Sequence, residues 1–229
     1  MLAAAESLDS SSWDRSSLVV LDLSGQCREA HNVRSAPSRP CLRLENVLSP
    51  AECSRIIRAV SEQHEQAPSS LEPGVRSQIG LVDVALQQLV WERIQQVIPR
   101  ELDGGTVVGL QAEWRHGMYH AGQSVFAHMD FEHVDRSDEL ICSRLSLTIY
   151  LNDDFLGGDT AFVREPIGYD GSHGGIFYRS VPKAGSAILF YQNVPEYYHT
   201  AERVVSGCKF IMRSDVMYKF KDKEAVRIK

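Results

Sequence analysis

The chain has 229 residues and a mass of 25.6 kDa, and 43% of its residues are hydrophobic. This length and composition fit one domain with a substantial core. Lys and Arg number 24 against 30 Asp and Glu, a formal net charge of −6, and the C-terminal half is itself acidic. A protein that binds nucleic acid through its phosphates usually carries the opposite charge, so no nucleic-acid partner is expected.

Membrane insertion and export are also not indicated by the sequence. No apolar run approaches the roughly 20 residues that a membrane-spanning helix needs, and the first residues lack the pattern of a secretory signal. The five cysteines are scattered and form no C-x-x-C pair, which argues against a disulfide framework and a zinc ribbon. We therefore expect a soluble protein in a reducing, cytoplasmic setting, with no membrane partner.

The N-terminal part predicts a loose start followed by two strands. Residues 1–17 are rich in Ser, Asp and Ala, a composition that buries little apolar surface, and they are expected to be flexible. Residues 18–23 and 41–47 are rich in Val and Leu and predict strands. Between them, Gly25 and two prolines predict a loop.

Two helices are predicted next. Ser49, Pro50 and Glu52 supply an N-cap, a proline at the first helical position and the acid of a capping box, and an apolar face follows at helical spacing. A second helix is predicted over 82–98, where Pro99 ends the periodic pattern. Both helices are expected to pack against a sheet as support.

After residue 105 the chain changes to short β-rich runs separated by turns that contain Gly, Asn and Asp. Seven or more short strands within about 110 residues predict a mainly β fold, a sandwich or jelly roll, with the helices as buttresses. We assign 106–220 to this unit, 18–105 to a supporting part of the same domain, and 221–229 to a charged tail in solvent. The Gly-rich segment 164–180 has the features of a lid or of a plain exposed loop.

A candidate metal site begins at His128-Met129-Asp130. Residues i and i+2 of a strand project to the same side, so one imidazole and one carboxylate can reach one metal ion. His199 is expected on an opposing strand across the barrel, where it supplies a third ligand. Two histidines and one carboxylate form the facial triad of non-haem Fe(II) oxygenases, although an isolated H-x-D pattern is common on protein surfaces.

Four motifs accompany these residues in a fixed order. They are Tyr119-His-Ala-Gly122 before His128, the run LTIYLNDDFLGGDTAF (147–162), the run GSAILFYQN (185–193), and His199 followed by Gly207 and Lys209. In order and spacing they resemble the catalytic domain of the 2-oxoglutarate- and Fe(II)-dependent dioxygenases of the prolyl 4-hydroxylase type. The similarity extends over residues 106–220 and is weaker through the preceding helices.

The resemblance implies a double-stranded β-helix (jelly roll) and an oxygenase activity. It implies that His128, Asp130 and His199 bind Fe(II), that 2-oxoglutarate and O2 are co-substrates, and that ascorbate is a candidate reductant. The metal centre carries the chemistry, and no further catalytic side chain is expected. The implied reaction hydroxylates an unactivated C–H bond and releases succinate and CO2.

The resemblance also implies a binding site for 2-oxoglutarate. Lys209 stands where this family keeps a basic residue for the distal carboxylate, and a compact ammonium suits that function. Tyr150 matches a tyrosine that hydrogen-bonds the same carboxylate, and Tyr119 matches one near the chelating end. Thr148 shares the inward face of Tyr150. Each tyrosine can instead be an ordinary barrel residue whose hydroxyl bonds the backbone.

Strand parity points two arginines into the barrel, Arg144 and Arg213. A buried guanidinium needs a partner, so each must meet an internal acid such as Asp215 or Glu113, or contact the primary substrate. Both are therefore candidate substrate-binding residues. Arg213 also distinguishes this chain from the collagen-type and oxygen-sensing members, which leaves the substrate open among an amino acid, a peptidyl residue and a small metabolite.

Two alternative functions are weaker. A nucleobase-demethylating dioxygenase of the alkylation-repair type needs a basic groove, whereas the loop 131–139 holds four acids and one arginine. A non-catalytic jelly-roll binding module would not need an intact triad and Lys209. A small-molecule or peptide substrate is therefore the expected partner.

Overall fold

A computed structural model describes residues 17–31, 39–66, 76–165 and 173–227. Its α-helices within these ranges are α1 (Ser24–Ala30), α2 (Pro50–Gln66), α3 (Val84–Ile94) and α4 (Lys223–Val226). The first seven strands are β1 (Val19–Asp22), β2 (Cys41–Glu45), β3 (Ser77–Val82), β4 (Glu101–Leu102), β5 (Gly105–Leu110), β6 (Glu113–His120) and β7 (Val125–His128). The others are β8 (Ile141–Tyr150), β9 (Leu156–Gly157), β10 (Thr160–Val163), β11 (Ile176–Ser180), β12 (Ala187–Tyr191), β13 (His199–Ala201), β14 (Val204–Ser206) and β15 (Cys208–Lys219).

The strands form a major and a minor antiparallel sheet. The major sheet has nine strands and runs β1-β2-β12-β8-β15, after which β15 pairs along its length first with β6 and then with β5. Strand β3 extends the sheet beyond β6, and β4 extends it beyond β5. The minor sheet runs β11-β10-β13-β7, and β14 pairs with β9. This architecture confirms the predicted mainly β, jelly-roll fold, flanked by N-terminal helices.

Helix α2 begins as the sequence predicts. The backbone N–H of Ser49 donates to the Glu52 carboxylate at 2.7 Å, and the N–H of Glu52 donates back to the Ser49 hydroxyl at 3.3 Å. Glu52 also receives two hydrogen bonds from the buried Arg93 of α3, at 2.8 and 2.9 Å. The capping box therefore fixes both the start of α2 and its packing against α3.

Helix α3 is shorter than predicted. Asp83 caps it through the N–H of Leu86 at 2.9 Å, so the α-helix begins at Val84, and residues 95–97 form a 3₁₀ turn before Pro99. The predicted loop at Gly25 is wrong, because α1 occupies this position. Asp22 accepts a hydrogen bond from the N–H of Ser24 at 2.9 Å and starts the helix, which buries Cys27 completely.

The last predicted segments differ from expectation. Residues 176–180 of the suggested lid form β11, paired with β10, while 166–172 lie outside the described residues. The suggested solvated tail instead contains α4, capped by Asp222, and Val226 packs against the core. Of the suggested flexible stretch 1–17, residues 1–16 lie outside the described residues. Among those described, no helix is both long and apolar enough to cross a membrane.

Candidate metal centre and co-substrate pocket

Three side chains meet where β7 and β13 pair. The register places His128 directly opposite His199, and Asp130 follows two residues after His128. One ligand atom from each residue lies within 4.8 Å of the other two, and Nε2 of His128 is 3.6 Å from Oδ1 of Asp130. The sequence predicted His199 on an opposing strand across the barrel, but β13 is the immediate neighbour of β7 in the minor sheet.

Both imidazoles are oriented by the backbone. Nδ1 of His128 lies 2.8 Å from the carbonyl oxygen of Phe126, and Nδ1 of His199 lies 3.0 Å from that of Tyr197. A carbonyl oxygen can only accept, so both Nδ1 atoms carry a proton, and in the neutral form of each ring Nε2 is the atom that keeps a lone pair for a metal. This is the arrangement that metal-ligating histidines show.

The protonation states also fit a metal ion. Burial and the neighbouring His128 lower the pKa of His199 to about 4, so its ring is neutral near pH 7. Burial alone would raise the pKa of Asp130, but Arg213 and the two imidazoles hold it well below the usual value. Oδ2 of Asp130 is buried and has no hydrogen-bond partner among the described residues. Two imidazoles and a carboxylate with an unused oxygen are suited to a divalent cation.

A pocket opens beside the triad, and four of the other predicted residues line it. They are Tyr119, Thr148, Lys209 and Arg213. Phe190 contributes an apolar wall, with its ring centroid 4.7 Å from that of His199. The fold therefore brings the predicted metal ligands and most of the predicted co-substrate residues to one cavity.

Lys209 is buried at the end of this pocket. Its Nζ donates to the carbonyl of Gly158 and lies 5.0 Å from the ring centroid of Tyr119 and 5.7 Å from that of Tyr150. Burial lowers the pKa of Lys209 to about 7. The Tyr150 hydroxyl donates to Thr160 at 2.8 Å, so this tyrosine contributes its ring to the surroundings of Lys209. A buried ammonium of this kind is stabilised by an anion.

Arg213 lies between two acids. Its Nη1 is 2.7 Å from Oδ1 of Asp130, and its Nη2 is 3.5 Å from Oδ1 of Asp215. Asp215 also accepts hydrogen bonds from Gln192 at 2.9 Å and from Arg115. The sequence left open whether Arg213 contacts internal acids or the primary substrate. The structure shows contacts with two internal acids.

Arg144 is not in the pocket. It is completely buried, donates to the carbonyls of Ser143 and Val226, and lies with its Cζ 4.3 Å from the ring centroid of Phe220. Asp103 is 3.6 Å from its Nε. Arg144 shares the parity of Thr148, but it stands further along β8, where α4 covers the sheet.

Among the charged residues that line the pocket, sequence reasoning missed Arg76, which precedes β3 and lines the cavity with Lys209. It belongs to the segment 75–99, which resembles the family only weakly. Its position depends on the pairing of β3 with β6, a long-range contact that strand parity within β3 does not reveal.

No protein-family model and no curated protein matches the sequence. Solved structures do match. The viral collagen prolyl hydroxylase of Paramecium bursaria Chlorella virus 1, in complex with 2-oxoglutarate, superposes with a TM-score of 0.53 at 18% identity, covering 79% of this chain and 96% of that one. A Pseudomonas putida prolyl 4-hydroxylase gives 0.51 at 15% identity, covering 80% and 93%.

A third match is a Trichoplax adhaerens prolyl hydroxylase, bound to a peptide of the hypoxia inducible factor oxygen degradation domain. Its TM-score is 0.55 at 14% identity, and 89% of this chain and 91% of that chain are covered. At identities this low, the structural matches establish a shared fold. The expectation of a jelly roll of the prolyl hydroxylase type is confirmed at the level of the fold.

Proposed function

We propose that this protein is an Fe(II)- and 2-oxoglutarate-dependent dioxygenase that hydroxylates a C–H bond of an amino acid, a peptidyl residue or a small metabolite. The observation that carries the proposal is the convergence of His128, Asp130 and His199 beside a pocket that ends in the buried Lys209. The shared fold with prolyl hydroxylases, one of them in complex with 2-oxoglutarate, supports it.

The triad would hold the metal through Nε2 of both histidines and a carboxylate oxygen of Asp130. The backbone carbonyls of Phe126 and Tyr197 keep the two rings in the ligating tautomer. When bound, Fe(II) with O2 and the keto acid supplies the oxidising power for hydroxylation, and succinate and CO2 are the co-products. Arg213 restrains the Asp130 carboxylate by its 2.7 Å contact, so that the ligand set is oriented before the metal arrives.

The co-substrate is held by the far end of the pocket. Lys209 pairs with the distal carboxylate of 2-oxoglutarate, and the rings of Tyr119 and Tyr150 enclose that ion pair. Thr148 lines the same cavity and offers a hydroxyl to the bound acid. Because Lys209 is almost completely buried, the ion pair forms away from water, where it is strongest.

The primary substrate is expected next to Arg213, whose side chain is 19% exposed and therefore reachable from the pocket. Of the two arginines that the sequence offered, Arg213 is the one that lines the cavity. Arg144 is held by backbone carbonyls and has no place in the proposed reaction.

The test is conversion of 2-oxoglutarate to succinate by the purified full chain, with Fe(II) and ascorbate under air. We expect slow turnover without a primary substrate and none in Asp130→Ala, which removes one ligand while His128 and His199 remain. Acceleration by free amino acids or short peptides would then identify the substrate class. A protein that binds Ni(II) and 2-oxoglutarate but forms no succinate would be a binding module, and the proposal would be wrong.

A further inference from the structure

We propose that Arg76 is a second anchor for the distal carboxylate of the co-substrate, acting together with Lys209. This inference rests on the function proposed above and extends it, because a single cation suffices for the binding mode that the sequence suggests. Arg76 lines the pocket but takes no part in the triad.

Strand register places Arg76, Tyr119 and Lys209 in one row across three strands. Lys209 of β15 stands opposite Tyr119 of β6, and Ser77 of β3 stands opposite Met118, so the preceding Arg76 reaches Tyr119 from the other side. The Cζ of Arg76 is 5.7 Å from the centroid of the Tyr119 ring, and the Nζ of Lys209 is 5.0 Å from the same centroid. Two cations therefore lie near the same aromatic ring.

Gly117 provides the space for this arrangement. A Cβ atom at this position would lie 3.2 Å from Cδ of Arg76 and 3.1 Å from Cγ1 of Ile211. A side chain at position 117 would therefore require the arginine stem to move by a few tenths of an ångström. The glycine thus lets Arg76 extend over β6 toward the cavity.

The charges at this end of the pocket are not balanced by the residues that line it. Asp130 is the one acid among them in the described part of the chain, and it contacts Arg213. Nε of Arg76 is buried without a hydrogen-bond partner among the described residues, while its Nη2 donates to Gln78. Asp159 and Glu202 act on Lys209 from outside the cavity, and Glu202 also holds Arg179 at 2.7 Å.

Two neighbouring cations with no acid between them are best stabilised by an anion that contacts both. The distal carboxylate of 2-oxoglutarate, with two oxygens, can meet the Lys209 ammonium and the Arg76 guanidinium at the same time. Burial is the main cause of the lowered pKa of Lys209, and Arg76 lowers it further, so the attraction of a shared carboxylate would offset the repulsion between the two cations.

The experiment compares two keto acids on the Ni(II)-loaded full chain by isothermal titration calorimetry. The probes are 2-oxoglutarate and 2-oxovalerate, which has the same chain length but a methyl group in place of the distal carboxylate. We expect Arg76→Gln to weaken 2-oxoglutarate binding by about tenfold to a hundredfold and to leave 2-oxovalerate binding unchanged. Arg76→Lys should retain most of the affinity, and Arg58→Gln, at an exposed position of α2, serves as the surface control.

Unchanged 2-oxoglutarate affinity in Arg76→Gln overturns the inference, as does an equal loss for both probes. If Arg76→Gln fails to fold by circular dichroism, Arg76→Met keeps the apolar stem over Gly117 and is read in the same way. Failure of the wild type to bind 2-oxoglutarate refutes the proposed function, whereas normal binding by the variant refutes the role of Arg76 alone.

Discussion

On the helix side of the major sheet, Arg93 is buried and meets both carboxylate oxygens of Glu52 and the carbonyl of Val47. On the pocket side, Lys209 is just as buried but bonds only a backbone carbonyl in the described structure. Asp130 likewise keeps a buried oxygen without a described partner. On the helix side, the buried charges of Arg93 and Glu52 satisfy each other. On the pocket side, the charged groups of Lys209 and Asp130 keep hydrogen-bonding capacity that the described residues do not use.

This difference separates residues that hold the fold from residues that hold a ligand. A buried charge is tolerated when all its hydrogen-bonding groups are satisfied, and it is costly when they are not. The pocket retains several unsatisfied groups within a small volume, which the proposed cation and organic anion would complete.

Replacing His199 by Ala is expected to have the largest effect on metal binding. The substitution removes a buried imidazole that stands opposite His128 on the neighbouring strand. Ni(II) binding should therefore weaken by more than about a hundredfold. Calorimetric titration of the apoprotein measures this directly, with His133→Ala as a control at a histidine outside the triad. Unchanged metal stoichiometry in His199→Ala would remove His199 from the metal site.

On the helix side, Glu52→Ala should lower the free energy of unfolding by about 3–5 kcal/mol, because Arg93 loses both carboxylate contacts while remaining buried. The capping box is lost as well. Urea denaturation measures the change, and Glu62→Ala, at an exposed position of the same helix, should stay within about 0.5 kcal/mol of wild type. A small effect of Glu52→Ala would show that the buried pair is dispensable.

In the pocket, Lys209→Ala should weaken the binding of 2-oxoglutarate by about a hundredfold or more, since the distal carboxylate loses its ammonium partner in a buried site. Ni(II) affinity should persist, because Lys209 is not a ligand. Removing an unbalanced cation should also leave the free energy of unfolding unchanged or raised, the opposite of the result at Glu52. Normal 2-oxoglutarate affinity would instead make Lys209 a structural residue.

The smallest effect concerns His116, which is buried on the helix side of β6. Burial lowers its pKa to about 4, against 6.5 for an exposed histidine. The unfolded chain therefore binds more protons between these values, so stability is complete above pH 6.5 and is lost as pH falls toward 4. This contribution is about 1 kcal/mol between pH 7.5 and 5.5, measured as the difference between wild type and His116→Leu in urea. Parallel pH profiles would contradict it.

Much of this arrangement could be predicted from local sequence. The capping box gave the start of α2, and the i, i+2 spacing identified His128 with Asp130. Parity correctly pointed Arg213 inward, where it contacts the expected Asp215 and, at a shorter distance, Asp130. These features depend on residues a few positions apart, where the period of a helix or strand determines the geometry.

Features that depend on the pairing of strands far apart in the sequence could not be predicted from the sequence. The adjacency of β7 and β13 and the row that contains Arg76 are set by strand register between segments far apart in sequence. Arg144 has the parity of a pocket residue, yet α4 and Phe220 occupy the end of the sheet where it lies. The helix at Gly25 was missed for a local reason, because the glycine was interpreted as a loop residue although the nearby Asp22 side chain accepts from the N–H of Ser24 and starts the helix.

Strand β15 carries Lys209, Arg213 and Asp215, and it inserts between β8 and β6 although it is the last strand in the described chain. During synthesis, β8 and β6 therefore emerge from the ribosome with open edges long before their shared neighbour exists. Open edges invite pairing with other chains, and sheets assembled from distant segments fold slowly. We expect expression at low temperature or with chaperones to raise the yield of soluble protein, because assembly of the pocket waits for the final strand.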